Sequence, residues 1–191
     1  MDKPQVQNVV STVTLLKEIL DLEVISKNIK NSNYNPKKFS ALIIKNFEPI
    51  RATALLFSNG RLVCVGTKSS SMAKEATIIF VQQIANALKE TTIAIDKFKI
   101  QNVVASFKFP KTLNLPALYD TMRIVPFELF EKHISFNQEI FPGMCLRIRD
   151  SRIVVLLFNS GKCIITGARN EECILKVYPQ IIETISIFMK N

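Results

Sequence analysis

The chain has 191 residues, 48% of them hydrophobic, and its 25 basic against 16 acidic side chains give a formal net charge of +9. This length suits one domain or two small ones, and the apolar runs fall far short of the roughly 20 residues that cross a bilayer, so no membrane partner is expected. Four cysteines without a Cys-x-x-Cys pair predict a reduced compartment and no zinc site, while the basic excess indicates either a polyanionic partner or solubility alone.

The first half predicts an antiparallel sheet with two helices. Residues Gln5 to Leu15 are rich in Val and Thr, which favours a strand, and Asp21 is placed to cap a first helix. The Asn35-Pro36 dipeptide ends that helix, because a residue before proline avoids the helical conformation. Ser69 to Ser71 then open a long amphipathic helix. The helices are predicted at 21–31 and 71–89, and the later strands at 39–47, 53–57 and 61–67.

The second half predicts a similar order of elements. A strand is expected over 97–109, a short helix near 116–122, and three strands from about Phe136 onward. A closing helix over 171–188 places apolar side chains at helical spacing, and Pro179 inside it should bend it.

One hairpin occurs twice, from Ala54 to Gly66 and from Val155 to Gly167. Each copy reads as strand, tight turn and strand, because Asn, Ser and Gly at the turn tolerate a positive φ. The segment Gln7 to Ser11 likewise recurs as Gln101 to Ala105. Motifs repeated in the same order predict a duplicated unit, with domains at 1–94 and 95–191.

The hairpin strands are apolar on both faces. Leu55 and Phe57 lie on one face, while Ala54 and Leu56 lie on the other. A strand with one wet face normally alternates apolar and polar residues. Since two helices per half can cover only one face of a sheet, the other face is left bare and needs a partner.

These motifs resemble the TATA-binding protein family over nearly the whole chain, from Gln5 to about Met189. The resemblance implies an α+β fold: two pseudo-symmetric repeats form one curved antiparallel sheet, a saddle with helices on its convex face and DNA on its concave face. The family reads the minor groove with strands and inserts apolar wedges into it. The motifs are Gln7 to Val13, Tyr34 to Phe39, Glu48-Pro49, Phe98 to Asn102, Phe141 to Gly143 and both hairpins.

The resemblance assigns three roles on the bare face. Phenylalanines would enter between base pairs, Asn8 and Asn102 near the saddle's centre would donate to adenine N3 and thymine O2, and cations would pair with phosphates. The wedges are Phe39, Phe57, Phe141 and Phe158. The minor-groove contacts are Asn8, Val10, Thr12, Leu55, Val63, Val65, Asn102, Val104, Leu156, Ile164 and Thr166. The phosphate contacts are Lys37, Lys38, Lys45, Arg61, Lys68, Arg147, Arg152, Lys162 and Arg169.

The resemblance also implies a general transcription initiation factor of the nucleus that binds double-stranded TATA-box DNA and needs no cofactor. Its protein partners would be transcription factors IIA and IIB, TATA-binding-protein-associated factors, and negative regulators or removal ATPases. Glu139 is expected at the contact with factor IIB, although Asn137 replaces the family's second acidic residue there. Contacts of regulators with the first long helix stay open, because it offers mainly Lys74 and Lys89 where the family has a basic cluster. Without DNA, the bare face predicts a sheet-to-sheet homodimer.

Two departures from the family pattern are visible. Thr166 precedes the glycine of the second hairpin, as in the family, but Val65 holds that place in the first. We expect the first half to lose one polar base contact and to discriminate less between base pairs. The stretch from Asn102 to Phe141 is also longer than that from Asn8 to Phe39, which predicts an extra surface loop around 115–135.

Two other functions fit the sequence less well. A DNA-repair glycosylase with a related domain would need a further helical region for its nucleophile, for which 191 residues leave no room. A diverged paralogue whose sheet binds a protein instead of TATA DNA is compatible with Val65, although the four wedges argue against it. An enzyme is not expected, because no phosphate-binding glycine loop is present and the single histidine, His133, is predicted at the surface of the inserted loop.

Overall fold

The computed structural model describes residues 3–132 and 134–190, so the prediction for His133 lies outside the described residues. The predicted α+β class with one antiparallel sheet is confirmed, in the strand order β2-β3-β4-β5-β1-β6-β9-β8-β7. In chain order the elements are β1 (Gln5–Thr14), α1 (Leu22–Asn28), β2 (Ser32–Asn35), β3 (Phe39–Asn46), β4 (Ala52–Leu56), β5 (Arg61–Thr67), α2 (Ser70–Ala87), β6 (Lys99–Lys108), α3 (Leu115–Ile124), β7 (Gly143–Arg147), β8 (Val154–Phe158), β9 (Lys162–Ala168), α4 (Glu171–Ile185) and a 3-10 turn (Ser186–Phe188).

The chain divides into two compact units. One runs from Asn8 to Gln101, and the other combines the segment up to Gln7 with the chain from Asn102 onward. The division falls a few residues after the predicted boundary between 94 and 95. We call them the first and second half.

Helix capping and apolar burial build the first half. The Asp21 carboxylate accepts from the amides of Glu23 and Val24 at 3.0 and 3.1 Å, which confirms the predicted cap of α1. The Ser69 hydroxyl accepts from the Met72 amide at 3.1 Å and starts α2. Such caps satisfy amides that lack a partner in the first helical turn. The helices cover one side of the strands, where the most buried side chains include Ile25, Leu42, Leu56, Phe80 and Ile84.

The second half follows the same plan. Asn170 caps α4 by accepting from the Cys173 amide at 2.9 Å, and Ile174, Ile181 and Ile185 of this helix are buried. Phe107 of β6 packs against Tyr178 with ring centroids 4.9 Å apart. The core therefore lies on the helix side of the strands, as in the first half.

Three predicted boundaries are wrong. α1 ends at Asn28, and Asn31 with a φ of 59° turns the chain into β2, a strand that the polar residues Ser32 to Asn35 did not suggest. Pairing with β3 creates this strand, so tertiary contact overrides local propensity. In the second half the first of the three predicted strands does not begin near Phe136; this strand is β7, the counterpart of β3, and it begins at Gly143. α4 gives way to the 3-10 turn after Ile185.

In the stretch predicted as an extra loop around 115–135, residues 115–124 form α3, and residues 129–131 contact the outer edge of β7. Phe130 forms a bridge with Ile148 and is only 2% exposed. The Glu131 amide donates to the Arg147 carbonyl at 2.9 Å, and the Arg149 amide donates to the Leu129 carbonyl at 3.0 Å. We call residues 125–132 the insertion.

None of the helices within the described ranges has the length and apolarity needed to cross a membrane.

Candidate nucleic-acid interface

Each hairpin has one buried face and one accessible face. Ala54, Leu56 and Cys64 point towards the helices and are at most 1% exposed, whereas Leu55 and Val63 on the same strands are only partly buried. The second half shows the same alternation. We call the side of the strands that carries Leu55 and Val63, or Leu156 and Ile164, the open face. The open face places the predicted groove contacts on one side of their strands: Val10, Thr12, Leu55, Val63, Val65, Val104, Leu156, Ile164 and Thr166.

Strand register arranges these side chains in rows. In the first half Thr12 lies opposite Val63, Val63 opposite Leu55, and Leu55 opposite Ile43. Directly opposed residues lie about 4.5–5.5 Å apart and form a continuous surface. The matching row of the second half consists of Ser106, Ile164, Leu156 and Cys145.

Sequence reasoning missed Ile43, Ser106 and Cys145. In the run Ala41 to Ile44 every residue is apolar, so no alternation showed which side faces outward. A comparison of equivalent positions in the two repeats could have identified them. For example, Ser106 follows Asn102 by the same spacing as Thr12, a predicted contact, follows Asn8.

A second row joins a basic residue to a predicted base contact. Lys45 lies opposite Thr53, and Thr53 lies opposite Val65. In the second half the same positions are Arg147, Val154 and Thr166. Each row therefore runs from a cation on an outer strand to the strand next to the asparagine.

The four predicted wedges form two ring pairs. Phe39 and Phe57 have centroids 6.3 Å apart at an interplanar angle of 68°, and Phe141 and Phe158 have centroids 5.8 Å apart at the same angle. Phe39 and Phe141 are 43% and 37% exposed, although burial is the rule for phenylalanine in a strand. The structure brings each predicted pair together within its own half.

Gly143 makes room for the second pair. A Cβ atom there would lie 2.8 Å from a ring carbon of Phe141 and 3.0 Å from one of Phe158. The corresponding residue of the first half is Ala41. Ala41 precedes Leu42, which pairs with Leu56, just as Gly143 precedes Met144, which pairs with Leu157. The ring centroids are farther apart in the first half, where Ala41 carries a methyl group in place of the glycine hydrogen.

Bulges next to Gly66 and Gly167 hold the two asparagines. The register of β5 slips between the partners of Val9 and Ser11, and that of β9 slips between the partners of Val103 and Ala105. Gly66 and Gly167 take φ values of 96° and 86°, which glycine adopts without strain. Their amides donate to Asn8 Oδ1 and Asn102 Oδ1, both at 2.8 Å. Because a backbone amide only donates, each Nδ2 must point the other way.

The side chains predicted to contact phosphate are accessible to solvent. All nine predicted phosphate contacts have exposed side chains. Four of them belong to the second half: Arg147, Arg152, Lys162 and Arg169. In addition, Lys108 lies directly opposite Lys162. A hollow of about 360 Å³ beside these two lysines is also lined by Lys3, Ser106 and Ser160.

Like charges placed directly opposite each other destabilise a strand pair, so the Lys108–Lys162 arrangement favours an anionic ligand. The corresponding pair in the first half is Thr14 and Arg61. The sequence predicted Lys162 as a phosphate contact but did not predict Lys108, whose place opposite Lys162 depends on the register of β6. It also did not predict Lys3, which precedes β1.

A family model described as transcription factor TFIID, or TATA-binding protein (TBP), matches residues 3–87 and 97–188. The chain belongs to the TATA-binding protein family. The two matches cover both copies of the duplicated unit, and the predicted family is confirmed.

Relatives in archaea and eukaryotes extend the TATA-binding match along the chain. A TATA-box-binding protein of Archaeoglobus fulgidus is 38% identical over 96% of this chain and 94% of its own. One of Dictyostelium discoideum is 36% identical over 98% of this chain and 85% of its own. One of Spodoptera frugiperda is 40% identical over 98% of this chain and 57% of its own. The solved structure of Methanococcus jannaschii TBP matches with a TM-score of 0.73 at 30% identity, covering 97% of this chain and 99% of that one.

Cysteines occupy both sides of this TATA-binding family fold. Cys64 and Cys163 are buried on the helix side, and burial raises the pKa of both thiols. Cys145 lies on the open face, where burial raises its pKa and the charge of Arg147 partly opposes that shift. Cys173 lies in the first turn of α4. Within the described ranges, no cluster of three or more His, Cys, Asp or Glu side chains could hold a metal ion.

Two further residues flank β7 at opposite ends, Glu139 before the strand and Arg149 after it. Glu139 is exposed, and its amide donates to Asn137 Oδ1 at 3.0 Å, so Asn137 shapes the turn that presents it. Arg149 is engaged with the insertion: its guanidinium donates to the carbonyls of Phe130 and Phe127 at 3.2 and 3.5 Å.

Proposed function

We propose that the open face binds the minor groove of TATA-box DNA, bends the duplex by inserting Phe39, Phe57, Phe141 and Phe158, and thereby nucleates assembly of the transcription pre-initiation complex. The observation that carries this proposal is the pair of accessible ring pairs, each beside an apolar row with an anchored asparagine. Exposure of such an apolar surface to water is unfavourable, whereas contact with the sugar and base edges of an opened groove would bury it.

The chemistry of insertion supports the proposal. Separating two stacked base pairs costs a few kcal/mol per step, and a wedge that covers the exposed base surface offsets part of that cost. The rows around Leu55 and Leu156 would cover sugar and base edges that the bend exposes. Nδ2 of Asn8 and Asn102 would donate to adenine N3 or thymine O2, whereas the guanine amino group would block that approach.

Phosphate contacts would add affinity without reading sequence. Each neutralised phosphate makes the slope of log affinity against log salt steeper by about 0.9. The proposed contacts are the nine exposed cations named above, to which the structure adds Lys3 and Lys108 beside Lys162.

The family suggests protein partners for the same complex. We propose transcription factors IIA and IIB, TATA-binding-protein-associated factors, negative regulators and removal ATPases as partners, with Glu139 in the contact with factor IIB. The proposed site of action is the nucleus. Without DNA, two copies would pair through their open faces; sedimentation should then show a dimer that TATA DNA dissociates, and a monomer at all concentrations would contradict this pairing.

A bending assay tests the function. A duplex with dyes at both ends and a central TATA element should gain energy transfer on titration with the protein, and a G·C-substituted duplex should not. Equal binding to both duplexes without bending would refute the proposal. It would leave a module that binds a protein partner as the better description.

Cysteine protection tests which face is used. The thiolate is the reactive form, so alkylation at about pH 8.5 should modify the accessible thiols despite the raised pKa of Cys145. TATA DNA should protect Cys145 on the open face, and a G·C-substituted duplex should not. Unchanged alkylation of Cys145 in the presence of TATA DNA would exclude the open face as the DNA site.

A further inference from the structure

The two halves hold their asparagines in different hydrogen-bond networks. Both Oδ1 atoms accept from a bulge glycine. Only Asn102 also donates from Nδ2 to the hydroxyl of Thr166, at 3.2 Å. Val65 stands at the corresponding position beside Asn8 and has no hydroxyl, so this second bond has no counterpart in the first half.

The missing hydroxyl is found one strand farther from the asparagine. In the first half Thr53 on β4 lies opposite Val65 on β5, whereas in the second half Val154 on β8 lies opposite Thr166 on β9. The threonine and the valine have thus exchanged strands. Neighbouring strands are about 4.8 Å apart, so the hydroxyl is displaced by roughly one strand spacing from Asn8.

A hydroxyl and a valine treat guanine differently. A hydroxyl has one proton to donate and two lone pairs that accept. Thr166 uses one lone pair for Asn102, which leaves its proton for an A·T acceptor and its other lone pair for the guanine amino group. Val65 can neither donate nor accept, so a guanine amino group pressed against it would lose its water without gaining a partner.

We propose that Val65 makes the first half the stricter of the two in excluding G·C pairs, and that this difference orients the protein on DNA. The inference rests on the proposed function. Its direction is opposite to the expectation from the sequence, which counted the lost hydroxyl as lost discrimination and did not consider that Thr166 can accept from guanine.

Three duplexes test the inference. Each contains the same palindromic A·T-rich site: the first is unchanged, the second has one G·C pair in one half, and the third has G·C pairs in both halves. The position of the G·C pair is scanned along the half-site. A donor dye at the protein's C terminus and an acceptor dye at one DNA end report orientation. The protein should place its second half over the single G·C pair, and the third duplex should lose about tenfold in affinity.

Exchanging the two residues should move the preference. Val65→Thr gives both halves a hydroxyl and should abolish the orientation on the second duplex; Thr166→Val should also abolish it and lower the affinity for that duplex. The double exchange should reverse the orientation. Val65→Ala and Thr166→Ser are the matched controls, because they change volume without adding or removing a hydroxyl, and both should keep the parent's orientation.

The outcomes separate the two levels of the proposal. A parent protein that neither binds nor bends the unchanged duplex refutes the proposed function. Normal bending without any orientation on the second duplex refutes only this inference, as does an orientation that survives the double exchange. Thermal unfolding checks each variant; should Val65→Thr not fold, the parent's orientation and its loss in Thr166→Val still decide the question.

Discussion

At the scale of single residues, position decides what a phenylalanine does. Phe80 is 0% exposed and fills the core, whereas Phe39 is 43% exposed and touches its partner Phe57 edge to face. Such a contact contributes about 0.5–1.5 kcal/mol. Loss of a fully buried ring costs about 3–5 kcal/mol. The difference makes the proposed wedges separable from the core by experiment.

Phe141→Ala and Phe158→Ala should weaken bending while the free energy of unfolding falls by only about 1 kcal/mol, because each ring loses little more than its edge-to-face contact. Energy transfer across a TATA duplex and urea unfolding measure the two effects. Phe80→Ala is the control and should lower stability by about 3–5 kcal/mol. Unfolding of the wedge variants would show that these rings belong to the core.

Gly143→Ala should move the rings of Phe141 and Phe158 apart, since the new methyl group would lie 2.8 Å and 3.0 Å from their ring carbons. Both rings are on the accessible side and can turn away, so we expect the bend angle to change more than stability. Changes in aromatic NMR shifts and in energy transfer measure this. The reciprocal control is Ala41→Gly, which should leave the second ring pair unchanged; unaltered rings in Gly143→Ala would contradict the steric argument.

At the scale of elements, pairing of β6 with β9 creates a charge arrangement that neither strand shows alone. Lys108 and Lys162 are directly opposed, while the first half has Thr14 opposite Arg61. An uncompensated like-charge pair of this kind destabilises the free protein and becomes favourable once a phosphate lies between the ammonium groups.

Lys108→Thr should reduce the slope of log affinity against log salt by about 0.9, the value for one phosphate, and should raise stability at low salt by a few tenths of a kcal/mol. The matched variant is Thr14→Lys, which recreates the opposed pair in the first half and should steepen the slope. DNA titrations at several salt concentrations measure both. A slope that Lys108→Thr leaves unchanged would exclude Lys108 from the phosphate contacts.

Arg149 should stabilise the insertion rather than contact DNA, because its guanidinium donates to the carbonyls of Phe127 and Phe130. In Arg149→Gln the Glu131 amide, which donates to the Arg147 carbonyl, should exchange hydrogen faster. Global stability should fall by about 1 kcal/mol. Arg152→Gln serves as the control and should leave this amide protected. Faster exchange in both variants would argue against the specific contact.

At the scale of the whole molecule, the duplication made much of the fold predictable. The repeated hairpins revealed the sheet, and the bounds of β5 were predicted correctly. β2 was not, because polar residues become a strand there only through pairing with β3. The four rings were assigned from the family resemblance, whereas Ile43, Cys145 and Lys108 were missed because their places depend on strand register, which local sequence does not encode. The hydrogen bond between Asn102 and Thr166 likewise depends on the bulge at Gly167.

The insertion has a consequence for behaviour in concentrated solution. Its contacts engage the outer backbone groups of Arg147, Ile148 and Arg149, and Ser135 engages those of Cys145. An uncovered edge strand offers such groups to any other polypeptide, which is how partly folded chains recruit one another into aggregates. In the first half the edge strand is β2, which has only four residues and no aliphatic side chain, and such short edge strands recruit other chains poorly. We therefore expect the protein to refold in good yield and to resist amyloid-like growth, although 48% of its residues are hydrophobic.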